Sequence, residues 1–306
     1  MALPLAAGLK QEHPDCRVTW LAGRSVSSLV RLSPDVDEVL EVDDRGLLRE
    51  GAVERIGALS IAWRRLLLRR FDLVVTAHTD LRYGLLSRTA LARRRWRLIP
   101  RGGRYQGDEL LEVLGGDRVS CRPDLNLPEL PENLRSRLSG NLKIALAPGG
   151  AKNLLRDEAL RRWPIEHYRR LADRLVGMGA QVIVTGAPSD AWVSPHFSSV
   201  TDLVGQTSLP ELGALYRACD LVITHDSGPL HLAQLAGSRV AAIFGPTRPH
   251  ERVPTYAANV KVFWGGEALP CRPCYDGRNY ADCARNQCME STRPEEVAAW
   301  VRTNEE

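Results

Sequence analysis

The sequence predicts an α/β protein built from two doubly wound, Rossmann-like domains that face each other across a cleft. Three observations lead there. Apolar β-type runs alternate with helix-type segments in two successive blocks, the pattern of parallel sheets with crossover helices. A stretch poor in apolar periodicity and carrying three prolines, residues 121–140, separates the blocks. The chain has 306 residues, of which 44% are hydrophobic, enough to bury two cores.

The first block offers strands at 17–21, 38–42, 73–77 and 97–99. Helices fall between or after them at 25–32, 48–69, 81–92 and 108–114. The second block restarts with Lys143-Ile144-Ala145-Leu146-Ala147 as a strand and a Pro148-Gly149-Gly150 turn. Trp163-Pro164 opens a helix over 166–178, residues 181–185 form the next strand, and 209–217 the next helix. The closing segment from Thr292 reads as a capped helix, with Pro294 in its first turn and Glu295 three residues after the cap. The domains are therefore placed at 1–138 and 139–306.

Residues 220–247 are the most informative stretch. A β-type run, Leu221 to Thr224, leads into His225-Asp226-Ser227-Gly228-Pro229; a helix-type segment and a second strand, Val240 to Phe244, follow. The turn falls at the carboxyl edge of a parallel sheet, where open α/β folds put their ligands. Asp226 or Ser227 can cap the new helix, and Gly228 lets a ligand approach the backbone. The helix end presents free N–H groups and partial positive charge, which suits a diphosphate. His231 and Gly245-Pro246-Thr247 bring further polar groups to the same edge.

Charge and cysteine usage bound the alternatives. Net charge is only +4, yet residues 61–104 hold twelve arginines against Asp72 and Asp80. Such a block attracts phosphate on lipid or nucleic acid, although arginine is also this chain's ordinary surface cation, lysine occurring only four times. A nucleic-acid binder is the rival class. It fits poorly, because aromatics in the block are few and it leaves the Asp226–His231 turn unexplained. No run of 18 apolar residues occurs, and the opening MALPLAAGLKQEHPD lacks a basic leader, so it reads as an amphipathic helix of a cytoplasmic protein. Cys271, Cys274, Cys283 and Cys288 cluster with a leading Cys-x2-Cys half-site. In a reducing compartment that spacing admits a structural zinc or a loop of unligated thiols. Cys16, Cys121 and Cys219 stand singly and read as packing residues.

Six motifs in order carry a resemblance: Ala147-Pro148-Gly149-Gly150, Arg162-Trp163-Pro164, Gly205-Gln206-Thr207-Ser208-Leu209, Asp226 to Ala233, Phe244 to Thr247, and Cys271-x2-Cys274. The chain resembles the family 9 glycosyltransferases, the ADP-heptose:lipopolysaccharide heptosyltransferase group with the GT-B fold. The resemblance implies a carboxyl-terminal domain that holds a nucleotide-diphosphate sugar and an amino-terminal domain that faces a lipid-linked or other glycan acceptor. It implies inverting transfer of heptose or a related sugar, with no cofactor required for catalysis and peripheral inner-membrane contact through 61–104. Donor-site residues carried over are Gly149, Gly150, Asp226, Ser227, Gly228 and His231. Arg161 stands where the family usually has lysine, Asp226 is placed on the sugar hydroxyls, Asp190 on the ribose, and Thr207 beside the nucleotide.

The family opens with a strand and a glycine-aspartate loop whose aspartate is the general base. This sequence enters at the following helix, with Met1-Ala2-Leu3-Pro4. The expectation is a start that falls late by roughly a dozen residues, leaving two strand edges bare. The catalytic base is then unassigned; His13, Asp15, His78 and Asp80 are the nearby stand-ins, and of these His78 and Asp80, at the carboxyl edge of a strand, are weak candidates. A nucleotide-sugar-binding protein impaired in transfer is the alternative within the family.

Overall fold

The computed structural model describes residues 1–48, 51–120, 122–152, 156–277 and 279–303. Cys121 and parts of the segments at 48–69 and 121–140 therefore lie outside the described residues. The chain divides into two compact units, Met1–Asn126 with Pro254–Tyr256, and Leu127–Val253 with Ala257–Glu306.

The first unit runs α1 (Leu3–Glu12), β1 (Thr19–Gly23), α2 (Arg24–Val30), β2 (Glu38–Val42), α3 (Asp44–Leu48), α4 (Ala52–Leu66), β3 (Arg70–Thr76), α5 (Leu81–Leu86), β4 (Leu91–Arg97) and α6 (Gln106–Leu111). Its strands form two separate parallel pairs, β1–β2 and β3–β4. The single sheet expected here is thus two, because no described strand joins β1 to β3. The fourth strand also corrects the expectation of a helix through Ala92. Leu91–Arg97 pairs with β3 in register from Arg70↔Leu91 to Thr76↔Arg97, turning Ala92 and Trp96 inward and its arginines to solvent. Among the described residues, two small clusters of buried side chains support the unit. Leu5, Leu98, Leu110 and Leu111 gather between α1, α6 and the end of β4, and Val42, Leu47, Ala58, Ala62 and Leu86 gather under α4.

The second unit runs α7 (Glu132–Arg135), β5 (Lys143–Ala147), α8 (Ile165–Gly177), β6 (Gln181–Val184), β7 (Thr201–Asp202), α9 (Leu209–Ala218), β8 (Leu221–His225), α10 (Gly228–Ala236), β9 (Val240–Phe244), β10 (Val260–Trp264), α11 (Gln287–Ser291) and α12 (Pro294–Thr303). Its six strands are all parallel, in the order β10-β9-β8-β5-β6-β7. Counted within the unit this is the doubly wound order 3-2-1-4-5-6, whose direction of winding reverses between β5 and β8. β8 and β9 are buried along their whole length, as strands covered on both faces must be, so they read as unbroken apolar runs. Helix α8 supplies part of the cover. Tyr168, Leu171, Ala172 and Leu175 recur at helical spacing and are all buried, packed with Trp163, Ile144 and Leu146. Helix α9 starts on a capping box, Ser208 Oγ accepting from the Glu211 N–H at 3.4 Å and the Glu211 carboxylate accepting from the Ser208 N–H at 2.7 Å. β10 was not read from the sequence: in Val260–Trp264 only Phe263 is buried and Lys261 is exposed, the partial cover of an edge strand.

Candidate active site

Two turns flank the reversal point of the second sheet, one after β5 and one after β8, whose ends pair as Ala147↔Thr224. They touch there. Gly150 takes φ +79°, open to glycine at little cost, and a Cβ on it would lie 3.3 Å from Ser227 Cβ. Gly149 is glycine for a different reason: a Cβ would stand 2.4 Å from Asp190 Cγ. Asp190, buried, spends both carboxylate oxygens on this corner, accepting from the Gly150 N–H at 3.1 Å and the Ala187 N–H at 2.9 Å. Arg162 clamps the same turn through Nε to the Gly150 carbonyl at 2.9 Å. Asp190 therefore shapes the glycine turn. Thr207 is half-buried in the loop that leads into α9.

The second turn carries the charge. Ser227 occupies the N-cap position of α10, but its side chain takes no helix N–H; its Oγ instead donates to the His225 carbonyl at 3.3 Å. Asp226 does not cap either, because its Oδ2 is taken up across the sheet edge. The expected side-chain cap is thus absent: Pro229 has no N–H, the Leu230 N–H donates to the Ser227 carbonyl at 3.2 Å, and no side chain caps the helix end at Gly228, where an added Cβ would meet nothing within 4 Å. His225, ending β8, is fully buried, with Nδ1 3.1 Å from the Tyr168 hydroxyl. Burial pushes its pKa down to about 3, and burial does the same to His231, so both are neutral at physiological pH.

Asp226 is the centre of the site. It is 1% exposed, and its Oδ2 accepts a hydrogen bond from Thr247 Oγ1 at 2.9 Å. Arg161 Nη1 stands 3.4 Å and Arg252 Nε 3.7 Å from the same oxygen. Burial alone would raise the Asp226 pKa; the two guanidiniums overcome it and hold the carboxyl below its usual value. Arg161 is also paired with Glu158. Among the described residues, several buried polar atoms here have no hydrogen-bond partner: Asp226 Oδ1, Arg161 Nε, Arg252 Nε, His231 Nδ1 and the Tyr280 hydroxyl. Buried atoms of this kind are normally satisfied, so a cluster of them marks a place built for something else to bind. Burial raises Tyr280 to about 12, and it feels the charges of Arg161 and Asp226. Arg252, Glu158 and Tyr280 were not found by sequence reasoning. Arg252 and Tyr280 sit in loops after β9 and β10, and only the rule that ligands gather at strand carboxyl ends points to such loops.

The remaining candidates fall elsewhere. Asp80 caps α5 by accepting from the Arg82 N–H at 2.9 Å and is paired with the Arg82 guanidinium at 2.6 Å, which holds its pKa down and makes it a poor base. His78 accepts from the Asp80 N–H at 3.0 Å, stacks on Tyr83, and is pushed down by burial. Cys271, Cys274, Cys283 and Cys288 all line one cavity, together with Pro246, Leu269 and Arg272. Yet Cys283 Sγ is turned to the Arg285 carbonyl and Cys288 Sγ to Asn286, and among the described residues no three metal-ligating side chains converge. As arranged, these thiols do not fit a zinc ion. Among the described residues no helix is long and apolar enough to cross a membrane.

Parallel α/β units, the second with a charged, glycine-lined corner at its reversal point, are the architecture of nucleotide-binding α/β proteins, among them the GT-B glycosyltransferases. Residues 137–284 match the model for glycosyltransferase family 9 (heptosyltransferase). The chain is 24% identical over 290 residues to lipopolysaccharide heptosyltransferase 2 of Salmonella typhimurium, covering 81% of this chain and 80% of the relative. Its fold is that of the family 9 glycosyl transferase from Veillonella parvula, with a TM-score of 0.75, 20% identity, and cover of 99% of this chain and 92% of that one. An Escherichia coli heptosyltransferase solved with ADP-2-deoxy-2-fluoro heptose aligns with a TM-score of 0.70, 16% identity, and cover of 99% and 95%. These matches agree with the resemblance that the motifs carry: residues 137–284 are similar to family 9 glycosyltransferases, and the fold is that of solved heptosyltransferases.

Proposed function

We propose that this chain moves heptose or a related sugar from an ADP-linked donor to a lipopolysaccharide core or other glycan acceptor, with inversion at the anomeric carbon. One observation carries the reading. A buried carboxylate with an unpartnered oxygen lies beside two guanidiniums and an uncapped helix end, at the reversal point of a parallel sheet. The amino-terminal end of α10, with no side-chain cap, and the Arg161 cation suit the diphosphate, on which negative charge grows as the sugar leaves. The acceptor hydroxyl attacks the anomeric carbon, its proton passes to a base, and the carbon–oxygen bond to the diphosphate breaks with the electron pair leaving on that oxygen. Asp226 and Glu158 are both ion-paired, which disfavours either as a covalent nucleophile and favours single displacement. The positive charge needed comes from protein groups, so the reaction calls on no metal. The ADP-heptose donor is supported by the ligand of the Escherichia coli neighbour, and the lipopolysaccharide acceptor by the name of the Salmonella relative.

The acceptor side of the reading puts the first unit against the cytoplasmic face of an anionic membrane. Helix α4 buries Ala58, Ala62 and Leu66, while its opposite face leaves Val53 80% and Ile56 66% exposed, with Ile61 and Arg64 beside them. Trp63 Nε1 donates to the Leu85 carbonyl at 2.8 Å, so exposed Leu81 and Leu85 of α5 adjoin this face. Apolar side chains ringed by arginine suit a lipid surface. Sedimentation with anionic and zwitterionic vesicles tests it: binding confined to the anionic ones supports the contact, and equal recovery in the supernatant of both sinks it.

For the reaction itself, calorimetry with ADP and ADP-heptose, followed by transfer onto a heptose-deficient lipopolysaccharide core, is decisive. Binding and transfer are expected. Binding without transfer would leave an impaired nucleotide-sugar binder, and retention on heparin without donor binding would reinstate the nucleic-acid reading.

A further inference from the structure

We propose that Asn286 is a positioning residue for the donor site: its amide holds the turn that carries Arg161, and so sets where that guanidinium meets a diphosphate. The inference rests on the functional reading above for the ligand and adds to it a residue remote in sequence.

Arg161 closes a short 3-10 turn, Ala159–Arg161. The bonds inside the turn run from the Arg161 N–H to the Glu158 carbonyl at 3.0 Å and from the Arg162 N–H to the Ala159 carbonyl at 2.9 Å. They fix its shape and not its place. Glu158, which pairs with the guanidinium, sits at the start of the same turn and moves with it. The reach to Asp226 is 3.4 Å, longer than an ordinary hydrogen bond, and among the described residues Arg161 Nε is buried without a partner. The side chain therefore does not anchor itself. Two backbone anchors do so instead. On one side Asn286 Nδ2 donates to the Leu160 carbonyl at 2.9 Å. On the other, Arg162 Nε donates to the Gly150 carbonyl at 2.9 Å and the buried Trp163 Nε1 to the Thr292 carbonyl at 3.0 Å. Arg161 stands between them, so losing the first lets it pivot about the second.

Asn286 is itself held firmly. It precedes α11, and its carbonyl accepts from the Met289 N–H at 3.1 Å and the Glu290 N–H at 3.0 Å. Its Oδ1 lies 3.5 Å from Cys288 Sγ, which leaves Nδ2, the donor, to face the Leu160 oxygen; the flipped amide would set two acceptors against each other. Helix α11 has no room to slide. A Cβ on Gly245 would lie 2.7 Å from Met289 Sδ and 2.8 Å from Cys288 Sγ. Gly245 stands two residues before Thr247, the hydroxyl donor to Asp226 Oδ2. Leu160, Pro246 and Asn286 line one cavity, so α11 registers both partners of that carboxylate oxygen, Arg161 through Leu160 and Thr247 through Gly245.

The test reads Arg161 directly and then its ligand. In the isotope-labelled full chain, the Nε–Hε resonance of Arg161 is the one missing from Arg161→Lys. Asn286→Asp keeps the side-chain shape but replaces the donor with an acceptor. It is expected to move that resonance while leaving that of Arg82, in the first unit, in place. Calorimetry is expected to show ADP bound about threefold to tenfold more weakly at an unchanged number of sites, the loss of one net hydrogen bond. A chain that is merely less folded loses sites and keeps its affinity. Should Asn286→Asp fold poorly, Asn286→Ala also lacks the donor and carries the same expectations. An unmoved Arg161 resonance overturns the inference, as does ADP affinity equal to the parent's. Fewer sites at full affinity also overturns it, making Asn286 a folding residue alone. A parent chain that binds neither ADP nor ADP-heptose refutes the functional reading itself, and the resonance then still decides whether Asn286 places Arg161.

Discussion

Thr247 Oγ1 donates to Asp226 Oδ2 across 2.9 Å, tying the turn after β9 to the turn after β8 at the sheet's carboxyl edge. Both side chains are almost wholly buried, so no water is positioned to replace the bond. Thr247→Val keeps the volume and deletes the donor. Hydrogen bonds to charged groups contribute about 1.5–3 kcal/mol, and urea denaturation should show a loss in that range. Donor affinity should fall with it, because Asp226 would be freer to collapse onto Arg161. A variant as stable as the parent would mean that the carboxylate relies on its guanidiniums alone.

Gly149 and Asp190 form the second fixed relationship of the corner. With Asp190 Cγ 2.4 Å from where a Cβ would be built, Gly149→Ala must push aside a carboxylate that holds two backbone N–H groups. Overpacking of this kind costs about 1–3 kcal/mol. The expected outcome is a folded protein with a lowered melting midpoint and nucleotide binding weakened tenfold or more. Unchanged ADP affinity would separate the glycine turn from the donor site.

Histidine burial gives the site region a pH signature. His225 titrates near 3 when folded and at its ordinary value, about 6.5, when unfolded, so the unfolded chain binds the extra proton between those limits. The contribution is complete above 6.5 and declines as pH falls, by about 1.4 kcal/mol per pH unit, until about 3. His225→Gln removes that proton from the balance. Stability measured by urea between pH 4 and 6 should therefore decline less steeply in the variant, by about one proton's worth of slope. Identical slopes would show that His225 is protonated in the folded chain.

Legibility in the sequence followed burial. Strands β5, β8 and β9 are covered on both faces, so their apolar runs could be read within a residue of their bounds. Their order then located the Asp226 turn. β4 was hidden because its outward positions are arginines: in Leu91–Arg97 only Ala92 and Trp96 are partly covered, and an edge strand does not need more. The site divides in the same way. Asp226, Gly149 and Gly150 lie in the tight turns that directly follow strands. Arg252 and Tyr280 come from loops whose path is set by tertiary packing; Cys274 and Tyr275, for instance, are hung by their N–H groups on the Pro246 carbonyl. No local pattern announces which residue of such a loop will face the turn.

The four-cysteine loop provides a last test, because exposure and burial divide its thiols into two kinds. Cys271 and Cys283 are exposed, whereas Cys288 is buried, its thiol pushed up to about 11 chiefly by that burial. Thiolate is the reactive form, so an alkylating reagent at pH 7.5 should label Cys271 and Cys283 first and Cys288 only on unfolding, as peptide mapping would report. Zinc would change the order. To be held by all four residues it must draw Cys271 and Cys283 into the cavity they share with Cys274 and Cys288, and one equivalent of the metal would then protect both until a chelator is added. Rapid labelling of Cys271 and Cys283 that zinc does not slow would establish the loop as free thiols, held by the Pro246 carbonyl and the packing around Leu269.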